Sequence, residues 1–170
     1  MLKLFCPDLY LESIYKLDLD SIKEKNIKGI LVDLDNTLLP WDSKHVEEKL
    51  IGWTQYCLKE GFSLCIISNN KYKRIKRCSE LLGIPAVFGS YKPFKSAFKK
   101  GMDIMGTQPE QTAVIGDQIF TDVFGAKRMG LYAILVKPIS SRELYWTRIM
   151  RLMERRIIKI LENKKLITLD

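Results

Sequence analysis

The feature that most restricts this chain is a regular alternation between short apolar runs and helical patterns. Strand-like runs fall at 29–34, 62–68, 86–88, 112–116 and 132–137. Between them lie stretches with helical spacing of apolar residues, at 46–59, 72–82, 94–105 and 119–129. Strands that alternate with helices build a parallel sheet, because each helix carries the chain back to the same end and covers one face on the way. The expected fold class is therefore α/β, with a parallel sheet between two layers of helices. An amphipathic segment at 9–25 precedes this pattern, and a long helical segment at 141–165 follows it.

Local signals agree with these boundaries. Gly83 and Gly130 fall where two of the helices should stop. Asp42 or Ser43 can cap the helix at 46–59, with Glu47 and Glu48 in its first turn. Pro93 can open the helix at 94–105 at its first position.

The chain has 170 residues, 46% hydrophobic and 28% charged, which suits one domain over 1–170 with its own core. No apolar run approaches the roughly 20 residues needed to cross a bilayer. The opening MLKLFCPDLYLESIYKL reaches Pro7, Asp8 and Glu12 too early for a secretory leader. Cys6, Cys57, Cys65 and Cys78 show no metal-ligand spacing and read as free thiols of a reducing cytosol, Cys65 in the core.

Parallel sheets gather their ligand sites at the carboxyl ends of the strands. The run Ile30-Leu31-Val32 leads there to Asp33 and, one leucine later, Asp35. The run at 62–68 ends in Ser68, Asn69 and Asn70, and the short run at 86–88 leads to Lys92. TAVIGDQIFTD ends in Asp117, with Asp122 five residues on. One crevice would then hold four carboxylates, a hydroxyl and an ammonium. Neighbouring acids repel unless a cation or proton intervenes, and oxygen ligands with room for water suit magnesium. A hydroxyl, a lysine and the N–H groups at helix starts suit a phosphate. Singly, each feature has a plain structural reading: a turn with capping acids, a helix cap at Ser68, a solvated lysine. All of them together, in this order, point to chemistry. His45 has no such company and reads as a surface residue.

The ordered set resembles the phosphatases of the haloacid dehalogenase superfamily over roughly 28–137. DLDNT is similar to their first motif, Ser68 to the second, Lys92 to the third and GDQIFTD to the fourth. The resemblance implies a Rossmann-like core with Asp33 as nucleophile, forming an aspartyl-phosphate. Asp35 would protonate the leaving oxygen and then activate water. Magnesium would be held by the Asp33 carboxylate, the Asp35 carbonyl and Asp117, with Asp122 as a further ligand or support. By the same resemblance Lys92 would take part in catalysis and, with Thr37, Ser68 and Asn69, in binding the phosphoryl group. Asn36 stands where many of these proteins have glycine.

Only 32 residues separate Asp35 from Ser68, and 23 separate Ser68 from Lys92. Core elements consume both intervals, which leaves no room for a cap domain. An open crevice accepts phosphate on a large body. The net charge of +8 is local: residues 71–100 carry nine basic side chains and one acidic. The segment 141–165 carries a stripe of Trp146, Ile149, Met150, Met153, Ile157, Ile160 and Leu161, with Arg148, Arg151, Arg155 and Lys159 opposite. Such a basic amphipathic helix can pack on the core, form a seam with a second copy, or lie on anionic lipid.

Within the superfamily, the capless form and the sequences DLDNTLLPW and GDQIFTDV most resemble subclass IIIA, the phosphatidylglycerophosphatase-like branch. That implies a magnesium-dependent phosphatase, cytoplasmic or peripheral at the inner face of the membrane, whose partner is an anionic phospholipid. The alternatives are a phosphatase for a soluble sugar phosphate, with a homo-oligomer in place of the cap, or for a nucleic acid end, which is the less favoured. A third is a partner-binding protein that retains the fold.

Overall fold

The computed structural model describes residues 2–43, 45–89, 91–140 and 145–169, with the backbone alone for 145–149. Six strands form one sheet in the order β1-β6-β5-β2-β3-β4, and every pairing is parallel. They are β1 (Leu9–Leu11), β2 (Gly29–Val32), β3 (Ser63–Ile67), β4 (Ala86–Val87), β5 (Thr112–Gly116) and β6 (Tyr132–Val136). The central strand β2 is fully buried and lies between β3 and β5, so the loops leaving all three emerge side by side.

Alternate residues of each strand feed opposite layers. Ile30 and Val32 of β2 point into one cluster with Leu64, Ile66, Ala113 and Ile115. It is covered by α1 (Leu19–Glu24), α2 (Glu48–Lys59) and α3 (Tyr72–Leu82) through Ile22, Leu50 and Ile75. Leu31 points the other way, into a cluster with Cys65, Ile67 and Val114. That layer is built from α4 (Lys95–Met105), α5 (Phe124–Lys127) and α6 (Tyr145–Asn163), which contribute Phe98, Ala126 and Leu161. The three-layer α/β architecture expected from the alternation is the one observed.

Small residues set how closely the second layer approaches. Gly101 of α4 lies over Leu31, and Gly125 of α5 lies on the Phe98 ring, so that a Cβ at either place would collide with its neighbour. Burying each large side chain such as Phe98 contributes about 1.5–3 kcal/mol, and the glycines admit that burial.

Some boundaries differ from expectation. The segment 9–25 is not one amphipathic element: Leu9–Leu11 forms an edge strand whose partners are Ile134, Leu135 and Val136, and only Leu19–Glu24 is α-helical. Three residues are too few to show alternation, and LYL also fits helical spacing. Helix α2 starts at Glu48 with Glu47 as its cap, so neither Asp42 nor Ser43 caps it. Helix α4 starts at Lys95 after Phe94, two residues beyond Pro93. Residues 119–123 form a wide turn of i→i+5 type before α5, a form common at functional sites. Gly83 ends α3 with φ +66°, in the left-handed region that favours glycine.

Candidate active site

The carboxyl ends of β2, β3 and β5 deliver the acids and the hydroxyl together. Strand β2 stops at Val32, and Asp33 N–H donates to the Ile115 carbonyl at 2.8 Å, so β5 holds the first acid in register. The chain then folds back on itself. Leu38 and Leu39 N–H donate to the Leu34 carbonyl, and Asn36 N–H donates to Leu39 at 2.6 Å. This return needs a left-handed residue, and Asn36 takes φ +63°. Asparagine tolerates that region better than most residues, which is why it can stand where glycine is usual.

Asp33 is 6% exposed. Lys92, also buried, places its ammonium in direct contact with the Asp33 carboxylate and 2.6 Å from Asp122 Oδ1. Burial alone would lower the lysine pKa, but Asp122 and Asp33 outweigh it, so the pKa is raised and the ammonium stays charged. Burial pushes the Asp33 carboxyl well above the usual carboxylate range; Lys92 opposes this, while Asp122 and Asp117 add to it. Asn69 fixes the Lys92 segment from β3, with its Oδ1 accepting from Lys92 N–H at 2.7 Å and its Nδ2 donating to the Lys92 carbonyl at 3.0 Å.

Asp35 sits higher, at the mouth. It accepts from Ser68 Oγ at 3.1 Å, Asn70 Nδ2 at 2.9 Å and Arg74 Nε at 2.8 Å. The remaining Arg74 nitrogens donate to the carbonyls of Pro40 and Ser43, which ties the loop after Asp35 to α3. Ser68 Oγ also accepts from Asn70 N–H at 3.1 Å. It does not cap α3, whose cap position is Lys71.

Asp117 and Asp122 lie deeper. Thr37 Oγ1 donates to Asp117 at 3.4 Å, and Gln118 N–H donates to Asp122 Oδ2 at 3.1 Å. Gly116 allows this arrangement, because a Cβ there would fall inside the Asp122 carboxylate. Burial raises Asp117 to about 7 against the pull of Arg151.

Oxygens of Asp33, Asp117 and Asp122 lie within 4.8 Å of one another. Asp122 Oδ1, though close to the Lys92 charge, is buried without a hydrogen bond of its own. Three converging oxygens, one of them without a hydrogen bond, fit a hard cation that takes oxygen ligands and keeps some water. Above them opens a crevice of about 360 Å³, lined by Asp33, Asp35, Ser68, Asn69 and Lys92 among others. Thr37, Asp117 and Asp122 lie beneath its floor.

Besides Arg74, two residues of α6 were not legible as contributors to the site. Arg151 of α6 reaches Asp117 with its guanidinium, contacting both the carboxylate and the backbone carbonyl, and pairs with Glu154 at 3.1 Å. Glu154 in turn accepts from Phe120 N–H at 3.1 Å. This corrects the helical wheel, which put Arg151 on the outer face of the helix. Arg151, Glu154 and Leu161 are buried, while Met150, Met153 and Ile160 are exposed. The helix is turned by about one residue, roughly 100°, because a buried carboxylate beneath it outweighs the hydropathy of its stripe. The side chains of Trp146, Arg148 and Ile149, and the segment 141–144, lie outside the described residues. The sequence signal of this contact is the spacing of Arg151 and Glu154, three apart and of opposite sign.

The chain is 41% identical over 162 residues to the probable phosphatase YqeG of Bacillus subtilis, covering 95% of this chain and 94% of that protein. Residues 2–83 match the family described as mitochondrial PGP phosphatase, and residues 90–142 match the HAD-hydrolase-like family. The chain belongs to the haloacid dehalogenase phosphatases. It is a phosphoric monoester hydrolase of that superfamily. A more distant member, the mitochondrial phosphatidylglycerophosphatase GEP4 of Saccharomyces cerevisiae, is 28% identical over 127 residues, covering 66% of this chain and 68% of its own. The crystal structure of a haloacid dehalogenase phosphatase from Thermococcus onnurineus shares the fold, with a TM-score of 0.56 at 17% identity, covering 70% of this chain and 90% of that one. As a haloacid dehalogenase phosphatase the chain is capless: the described residues between Asp35 and Lys92 form α2, β3, α3 and β4 with the loops that join and flank them.

Proposed function

We propose that the chain is a magnesium-dependent phosphatase that removes the terminal phosphate of phosphatidylglycerophosphate through an aspartyl-phosphate on Asp33. The observation that carries this reading is the uncovered crevice in which Asp33, Asp35, Ser68 and Lys92 converge above the two further buried acids, Asp117 and Asp122. The family matched by residues 2–83 and the phosphatidylglycerophosphatase relative support this choice of substrate.

In this mechanism a carboxylate oxygen of Asp33 attacks phosphorus, and the bond from phosphorus to the leaving oxygen breaks. Asp35, at the mouth, gives its proton to that oxygen. It then takes a proton from the water that attacks the phosphorus of the aspartyl-phosphate, which frees inorganic phosphate and restores Asp33. Lys92 offsets the charge of the transferring group and Ser68 orients it, while Thr37 supports that group from beneath through Asp117 and Asn69 holds the Lys92 segment in place. Asp33, Asp117, Asp122 and the Asp35 carbonyl would hold the magnesium ion, which supplies charge neutralisation worth several kcal/mol.

Met153 and Ile160 are exposed on α6 beside the basic Arg155, Arg156 and Lys159, which supports contact with an anionic membrane. No helix of the described residues is long and apolar enough to cross one. We place the enzyme in the cytoplasm, at the inner face of the membrane.

The test is magnesium-dependent phosphate release from phosphatidylglycerophosphate in mixed micelles, beside sugar phosphates and 3′-phosphorylated DNA. The lipid should be strongly preferred, and Asp33→Asn should lower turnover by about 10⁴-fold or more. Activity confined to the soluble esters would remove the lipid, and activity retained in pure Asp33→Asn protein would remove the covalent mechanism.

A further inference from the structure

The crevice opens sideways into a second, larger groove. Trp41, Asn70 and Lys71 form a wall common to both, and the groove, of about 670 Å³, is lined further by Asp42, Lys73 and Arg77. Lys73 and Arg77 are four residues apart on α3 and so share one face of the helix. The basic residues of this helix divide by partner. Arg74 is committed to Asp35, Pro40 and Ser43, and Lys76, which does not line the groove, is paired with Glu80. Lys71, Lys73 and Arg77 line the groove, are exposed, and have no acidic partner among the described residues. Like charges at this spacing destabilise a helix unless an anion comes between them.

We propose that this groove is a second-anion subsite, which takes a phosphodiester of the same substrate whose phosphomonoester enters the crevice at Asp33. The proposal rests on the reading of that crevice as the phosphomonoester site. Lys73 and Arg77 are its specificity residues, the guanidinium being suited to two non-bridging phosphate oxygens at once. Asp42, on the same groove, disfavours a third phosphate and suits a hydroxyl donor, such as the glycerol that bridges two phosphates in phosphatidylglycerophosphate. The wall shared by crevice and groove calls for a short bridge of this kind. Trp41 adds an apolar surface at the junction.

The experiment compares glycerophosphoglycerol phosphate, the deacylated headgroup with two phosphates, with glycerol 3-phosphate, which has one. Wild type should prefer the former in kcat/KM by about tenfold or more. The double variant Lys73→Met/Arg77→Met should lose that preference through KM, with kcat held and glycerol 3-phosphate turnover within about twofold of wild type, which also reports a folded enzyme. Glycerophosphoglycerol, the diester alone, should compete with substrate in wild type and not in the variant. Equal losses on both substrates, no preference in wild type, or no competition by the diester would each overturn the subsite. The two readings fail separately. If phosphatidylglycerophosphate is not hydrolysed but a soluble substrate with two phosphates keeps its dependence on Lys73 and Arg77, the lipid falls and the subsite stands. If the lipid is hydrolysed equally by the variant, the subsite falls and the lipid stands.

Discussion

At the scale of single residues, the site depends on burying like charges close together. Asp33, Asp117 and Asp122 are buried around one ammonium and one guanidinium, and their mutual repulsion is tolerated because Lys92 pairs with Asp33 and Asp122 while Arg151 pairs with Asp117. Gly116 is part of that packing. Gly116→Ala should push the Asp122 carboxylate from its place, destabilise the protein by about 1–3 kcal/mol and lower turnover by about 100-fold or more; denaturant unfolding and phosphate release check both. The cysteines make a contrasting case, since burial pushes the thiols of Cys57 and Cys65 up to about 12. A thiolate-selective reagent at mildly alkaline pH should modify half-buried Cys6 in the native protein, and reach Cys57 and Cys65 only when the protein is unfolded. Quantified labelling with and without denaturant tests this.

At the scale of elements, α6 joins the site to a part of the chain beyond the family motifs. Its contact is polar at one end, where Arg151 and Glu154 meet Asp117 and the Phe120 N–H, and apolar at the other, where Leu161 is fully buried. Removing one member of a buried pair leaves the other charge uncompensated. Arg151→Met should therefore destabilise the protein by about 3–5 kcal/mol. The double variant Arg151→Met/Glu154→Leu should cost less than the sum of the two single changes, by about 1–3 kcal/mol. Urea unfolding of the four proteins gives the coupling directly, and strict additivity would mean that the pair does not act as a unit. The same element shows why hydropathy placed it imperfectly. A wheel ranks side chains by their cost in an apolar core, whereas this helix meets a core that presents a carboxylate.

At the scale of the whole molecule, charge and the missing cap act together. The crevice opens on the same side as the basic start of α3, and α6 carries exposed Met153 and Ile160 beside its own cations. The protein should therefore bind vesicles of anionic phospholipid more tightly than zwitterionic ones. The difference should shrink as the Debye length falls from about 10 Å at 0.1 M salt to about 3 Å at 1 M. Vesicle co-sedimentation across that range measures it, and equal binding to both lipids at low salt would remove the electrostatic docking.

The sequence by itself determined five of the six strands and their parallel arrangement. Apolar runs long enough to be strands, separated by helical spacing, admit one layered arrangement, and the polar residues at 33, 35, 68, 92, 117 and 122 then stand at the ends of the runs or just beyond them. Those positions were legible because strand direction and local spacing locate them without any contact being known. Only the tertiary structure decided what packs across sequence distance: that Leu9–Leu11 extends the sheet beside β6, that Arg74 holds Asp35 across 39 residues, and that Arg151 turns inward to Asp117 across 34. The physical reason is the same in each case. An edge strand of three residues and a buried ion pair are stabilised by partners distant in the chain, and local propensity carries no record of them.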